Sequence, residues 1–117
     1  MREFTWQFDY SFSLEMRIEG RAAWISFSGE LDALTAKNLQ LRAPIPLDQL
    51  DQLVLDLTAL EYVDVTGVRE IRRMKAVLDE SGGRVEIKGA NADVQHLLDM
   101  FAGNGARGAP AVSPAPR

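Results

Sequence analysis

The chain has 117 residues, a net charge of −4, no cysteine and a single histidine, His96. That length holds one domain with one core. Without cysteine there is no disulfide framework, thiol catalysis or cysteine metal site, and the acidic balance argues against direct contact with nucleic acid or anionic membrane.

Phe4, Trp6, Phe8, Tyr10 and Phe12 alternate with Thr5, Gln7, Asp9 and Ser11. This period of two predicts one N-terminal strand with an aromatic face. Five of the nine aromatic residues lie in these first twelve positions, too many on one face to stay in water. They either cover the sheet of their own domain or pair with a second copy, giving a homodimer through the N-terminal strand. Polar Arg2, Glu3, Gln7 and Asp9 interrupt any secretory leader here. No apolar run approaches the ~18 residues that span a bilayer, so no membrane insertion is expected. A cysteine-free chain of this kind fits the cytoplasm.

Leu14, Met16 and Ile18 continue the alternation, Gly20-Arg21 reads as a tight turn, and Ala23 to Phe27 forms the returning strand. Trp24 is expected in the core. Gly29-Glu30-Leu31-Asp32 ends that strand, and Asp32 can cap a helix running to about Arg42, where Pro44 and Pro46 stop it. A loop with Asp48 and Asp51 leads to the buried strand Leu53 to Leu57. A short loop, Tyr62-Val63-Asp64-Val65-Thr66-Gly67, follows. Val68, Ile71, Met74 and Leu78 then recur at helical spacing, with Arg69, Arg72, Arg73 and Lys75 between them. Ser81-Gly82-Gly83 ends this helix. Val85 and Ile87 mark another strand, and Asn91 can cap a last helix carrying Val94, Leu97, Leu98 and Phe101. His96 falls off that apolar stripe and is expected in water. From Gly103 the composition is mostly Gly, Ala, Pro and Ser with two arginines, which predicts a disordered tail over 103–117.

The order is β-β-α-β-α-β-α, preceded by one extra strand. It predicts an α/β fold with a mixed sheet and helices on at least one face. Residues 1–13 hold the extra strand and residues 14–102 the domain proper. No nucleophile–base pair, phosphate-cradling glycine loop or metal-ligand spacing is present, so no enzyme, metal or cofactor is expected.

Thr66 stands where the second helix begins. A helix start carries unpaired N–H groups and a partial positive charge, so a phosphate there would suit the fold while altering the surface. Thr66 could instead cap the helix, since threonine is a favoured cap. Asp64 either closes an Asx-type turn or orients the threonine hydroxyl. Gly67 fits where backbones crowd or a partner comes close. The cationic set Arg69, Arg72, Arg73 and Lys75 is a solvated helix face, or it pairs with acidic partner residues, or with a phosphate on Thr66 through Arg69 one turn on.

Gly29-Glu30-Leu31-Asp32 before the first helix, with Asp64-Val65-Thr66-Gly67-Val68 after a Leu-Val-Leu-Asp-Leu strand, resembles the STAS family over roughly Leu14 to Phe101. That family holds bacterial anti-sigma factor antagonists and the cytoplasmic domains of sulfate transporters. The resemblance implies partner switching. An antagonist binds an anti-sigma factor that is a serine/threonine kinase of the histidine-kinase-like ATPase type, the kinase phosphorylates the hydroxyl before the glycine, and a phosphatase removes the phosphate. Carried over, the acceptor is Thr66, and Asp32, Asp64, Val65, Gly67 and Arg69 border the partner surface. Val65 replaces a serine found in many members, which leaves a single hydroxyl. The alternative implied is a STAS scaffold or accessory subunit of a stressosome-like complex or a membrane transport system.

Overall fold

The computed structural model describes residues 2–7, 11–42 and 45–102. Its sheet has five strands in the order of the chain: β1 (Arg2–Gln7), β2 (Phe12–Glu19), β3 (Ala22–Leu31), β4 (Gln52–Val63) and β5 (Arg84–Lys88). β1, β2 and β3 run antiparallel, whereas β3, β4 and β5 are parallel. Helices α1 (Ala33–Arg42) and α2 (Val65–Glu80) make the two parallel crossovers, and α3 (Ala92–Ala102) follows β5. This is the predicted mixed α/β sheet with one additional strand at the N-terminus.

Alternation decides which face is covered. Phe12, Leu14, Met16 and Ile18 of β2, Ala23, Ile25 and Phe27 of β3, and Leu53, Leu55 and Leu57 of β4 are buried in a single core. They pack with Ala36 and Leu39 of α1, Val68, Ile71, Met74 and Leu78 of α2, and Val94 and Leu98 of α3. Burial of each large apolar side chain stabilises the fold by about 1.5–3 kcal/mol before entropy is counted. Among the described residues the opposite face carries no helix. Across it runs the row Glu3, Arg17, Trp24, Val54 and Glu86, one residue from each strand.

Trp24 therefore lies outside the core, contrary to the sequence expectation. Arg17 and the Lys88 ammonium approach its ring, at 5.0 and 4.0 Å from the centroid, so the indole is covered by cations on the open face. In Ala22-Ala23-Trp24-Ile25 both parities are apolar. Only pairing with Met16 and Leu55 through Ile25 settles which set faces inward.

The single strand expected from Phe4 to Phe12 is two strands. β1 ends at Gln7, and Phe12 opens β2 on an antiparallel course, with Gln7 opposite Ser13. Phe4 and Trp6 sit opposite Met16 and Leu14 and pack half-buried against the core, stacked on each other. Phe12 is fully buried against Phe27. The even-numbered positions keep one parity from Phe4 to Ile18, so the alternation passes through the reversal without a mark. The expected boundary at residue 13 falls inside β2. Phe8, Tyr10, Pro44 and the tail 103–117 lie outside the described residues.

β4 is also longer than the expected Leu53 to Leu57. It reaches Val63, and its register against β3 slips twice, between Ser26 and Ser28 and between Gly29 and Glu30. Each slip inserts an extra β4 residue, a β-bulge. Beyond Leu57 the buried positions become Leu60 and Val63. Two bulges thus turn the period of two into a period of three, and the segment stops resembling a strand.

Local signals close the remaining ends. Glu19 pairs with Ala22 across Gly20-Arg21, with φ +61° at Gly20, the first central position of a II′ hairpin. At the end of α2, Gly83 N–H reaches Leu78 O (2.8 Å) and Gly82 N–H reaches Asp79 O (3.2 Å), the paired bonds of a Schellman ending.

Candidate functional site

Because β3, β4 and β5 are parallel, the helices that follow them all begin at the same end of the sheet. Each start is capped by an Asp or Asn side chain. Asp32 Oδ1 accepts from Thr35 N–H (3.0 Å), Asp64 Oδ1 from Gly67 N–H (2.9 Å), and Asn91 Oδ1 from Val94 N–H (2.9 Å). Asn91 also donates to Leu60 O of β4 (3.3 Å), which ties the third start to the bulged strand.

The first two starts are built into each other. Asp64 N–H donates to Leu31 O (3.2 Å), joining the end of β4 to the end of β3. Gly67, one turn into α2, is buried against that same carbonyl. A Cβ at this position would overlap Leu31 O and Val63 Cγ2. Glycine is thus required by packing, because it lets the first turn of α2 sit directly on the strand ends.

Asp64 is the N-cap of α2, with extended backbone (φ −102°, ψ −174°). Thr66 is the second residue inside the helix and not its cap. Its side chain is exposed, and its hydroxyl has no hydrogen-bond partner among the described residues. The neighbouring hydroxyl, Thr35, is in the opposite condition. It is 1% exposed, accepts from Asp32 N–H (2.8 Å) and donates to Glu30 O (3.0 Å). The sequence reading passed over Thr35. Its capping-box spacing from Asp32, with threonine in the place of the usual Glu or Gln, could have flagged it.

Exposed apolar side chains flank the two junctions. Four large hydrophobic residues are exposed among those described, and three of them, Leu34 (63%), Tyr62 (52%) and Val65 (38%), belong to these two junctions. Sequence reasoning found Val65 but missed Leu34, in the first turn of α1, and Tyr62, which the second β4 bulge leaves exposed. Exposed apolar groups clustered at one end of a sheet mark a contact surface.

On α2, Glu70 is 2% exposed and held by Arg73 in a two-pronged pair, Nε to Oε1 at 3.0 Å and Nη2 to Oε2 at 2.6 Å. The hydrogen bond to Glu70 keeps the Arg73 guanidinium above its ordinary pKa. Lys75 pairs with Asp79 (2.7 Å). The expected free cationic face is therefore partly committed inside the helix. Arg69 is exposed and has no ion pair or hydrogen-bond partner among the described residues. His96 is exposed, as expected. Among the described residues no group of three or more His, Cys, Asp or Glu could hold a metal ion, and no helix is long and apolar enough to cross a membrane.

The family described as "Mlab, STAS domain" matches residues 14–107. The chain belongs to the STAS domain family. A relative from Paenibacillus polymyxa, named anti-sigma F factor antagonist, is 29% identical over 89 residues, covering 74% of this chain and 76% of its own. Among solved structures, an anti-sigma factor antagonist from Mycobacterium paratuberculosis superposes with a TM-score of 0.61 at 23% identity, over 89% of this chain and 86% of its own. The Bacillus cell fate determinant SpoIIAA, in its phosphorylated form, gives 0.63 at 15% identity, over 86% and 91%. At these identities the structural likeness concerns the fold, and it is the STAS fold anticipated from the two motifs.

Proposed function

We propose that this STAS domain is a non-enzymatic, cytoplasmic protein-binding module that acts as an anti-sigma factor antagonist. Its partner is an anti-sigma factor that is also a serine/threonine kinase of the histidine-kinase-like ATPase type. The kinase phosphorylates Thr66, and a phosphatase reverses the modification. Asp32, Asp64, Val65, Gly67 and Arg69 form the contact region, enlarged by Leu34 and Tyr62. The observation that carries the reading is the exposed Thr66 hydroxyl, without a partner among the described residues, at the junctions where Leu34, Tyr62 and Val65 are exposed. The relative named as an antagonist supports it.

The chemistry follows from placement. A phosphothreonine at the second position of α2 adds a charge of roughly −1.5 to −2 near a helix N-terminus, which favours it by about 0.3–1 kcal/mol. At an interface the same charge must shed water against Leu34, Tyr62 and Val65, and that opposes docking. The fold is then indifferent to the modification while the contact is lost. The open outer edge of β1 is where a second copy would add to make a homodimer.

The test is to purify the tagged full-length protein with whatever it retains, add ATP, and map phosphate by mass spectrometry. The expected result is a co-purifying ATPase-type kinase and modification at Thr66, abolished in Thr66→Val. Phosphate elsewhere with Thr66 unmodified contradicts the switch. Recovery of a membrane transport complex without a kinase supports the accessory-subunit alternative.

A further inference from the structure

The Glu70–Arg73 pair shows what α2 does with an acid three residues before an arginine. The carboxylate and guanidinium close a two-pronged contact at 2.6 and 3.0 Å within one helical turn. Thr66 and Arg69 have the same spacing and order on the same helix. Residues at i and i+3 sit with Cβ atoms about 5–6 Å apart. A phosphothreonine also matches glutamate in reach: its terminal oxygens stand as many bonds from Cβ as the carboxylate oxygens of Glu do. Arg69 is free to move there, since it has no partner among the described residues, while Arg73 and Lys75 are engaged.

Resting on the reading that Thr66 carries the phosphate, we propose that Arg69 is the residue that clasps it. In the unmodified chain Arg69 projects into water beside the two junctions. When a phosphate is attached to the Thr66 oxygen, the guanidinium turns back one helical turn and binds two of its oxygens, as Arg73 binds Glu70. Planar guanidinium groups suit this two-point geometry, and an ammonium does not reproduce it. Modification would thus change the surface twice, adding an anion and withdrawing the cation that an acidic group of the partner would otherwise meet. The pair is exposed, so it is weaker than its buried template and sensitive to salt.

The experiment uses full-length protein with phosphothreonine installed at position 66 by genetic encoding, so that it does not depend on finding a kinase. Titration of the phosphorus resonance gives the second pKa of the phosphate. Arg69→Gln should raise that pKa by roughly 0.15–0.35 pH units, and Arg69→Lys should recover only part of the difference. Arg72→Gln removes the same charge from the same helix and should leave the value within error of the parent. Equal pKa values in the parent and Arg69→Gln overturn the clasp, and so does an equal shift in Arg72→Gln. Both overturning results leave the kinase mapping untouched. A positive titration alongside failed mapping would retain the clasp and remove the switch.

Discussion

The β3–α1 and β4–α2 junctions use one capping plan and place a hydroxyl differently. In both, an aspartate ends the strand and binds the N–H three residues on. At the first junction that third residue is Thr35, whose hydroxyl is sealed between Asp32 N–H and Glu30 O. At the second it is Gly67, pressed on Leu31 O, and the hydroxyl sits one residue earlier on Thr66. One residue of helix turns a side chain by about 100°. That step carries a threonine from a buried, fully bonded position into water. A hydroxyl that holds the fold cannot be modified without breaking it, whereas one that holds nothing is open to chemistry.

The largest predicted effect tests the glycine that makes the second junction possible. Gly67→Ala forces a methyl into the Leu31 carbonyl, and a backbone group cannot move aside without dragging β3. Loss of roughly 2–3 kcal/mol is expected from the urea midpoint. A variant as stable as the parent would mean that the close approach does not shape this junction.

The next effect compares one substitution at two sites. Thr35→Val keeps shape but leaves Asp32 N–H and Glu30 O without their partner, at a cost of about 1–3 kcal/mol. Thr66→Val should stay within about 0.5 kcal/mol of the parent, since that hydroxyl bonds nothing. Thermal melts of the two variants measure the difference, and equal losses would erase the contrast between junctions.

The smallest effect concerns a second hydrogen-bonded Thr–Asp pair, on the open face. The Thr58 hydroxyl (2.6 Å) and its backbone N–H (3.0 Å) both donate to Asp56 Oδ1, and together with nearby Lys88 they hold the Asp56 carboxyl below its ordinary value of 3.8. A carboxylate favoured in the folded state adds stability that is present above its unfolded pKa and lost as pH falls through the lower folded value. Asp56→Asn should therefore flatten the acid limb of the stability–pH curve below about pH 4, so that the variant is slightly less stable than the parent at neutral pH and the two converge in acid. An unaltered acid limb would show that the pair contributes nothing.

Much of this architecture is written locally. Asp32 and Asn91 were legible as caps, Gly20-Arg21 as a turn and Ser81-Gly82-Gly83 as a stop, because each acts through its own neighbours. The features missed depend on distant pairing. The end of β4 was read as loop because its bulges exist only in register with β3. Burial of Thr35 and Glu70 was hidden because polar residues give no apolar period, and α2 appeared as a uniform cationic face until Glu70 was found paired. At the candidate site Thr66, Asp64 and Gly67 were singled out from motif and turn chemistry. The assignment of the cap to Asp64 needed the helix to be seen starting at Val65.

The central claim is that modification of Thr66 acts on binding and not on folding. The most direct measurement is calorimetric titration of the proposed partner kinase with unmodified and Thr66-phosphorylated protein, paired with thermal melts of both forms. The account predicts at least about tenfold weaker binding for the phosphorylated form, a change of about 1.4 kcal/mol. Its melting temperature should lie within roughly 4 °C of the parent. Equal affinities, or a phosphorylated form that unfolds, would contradict it.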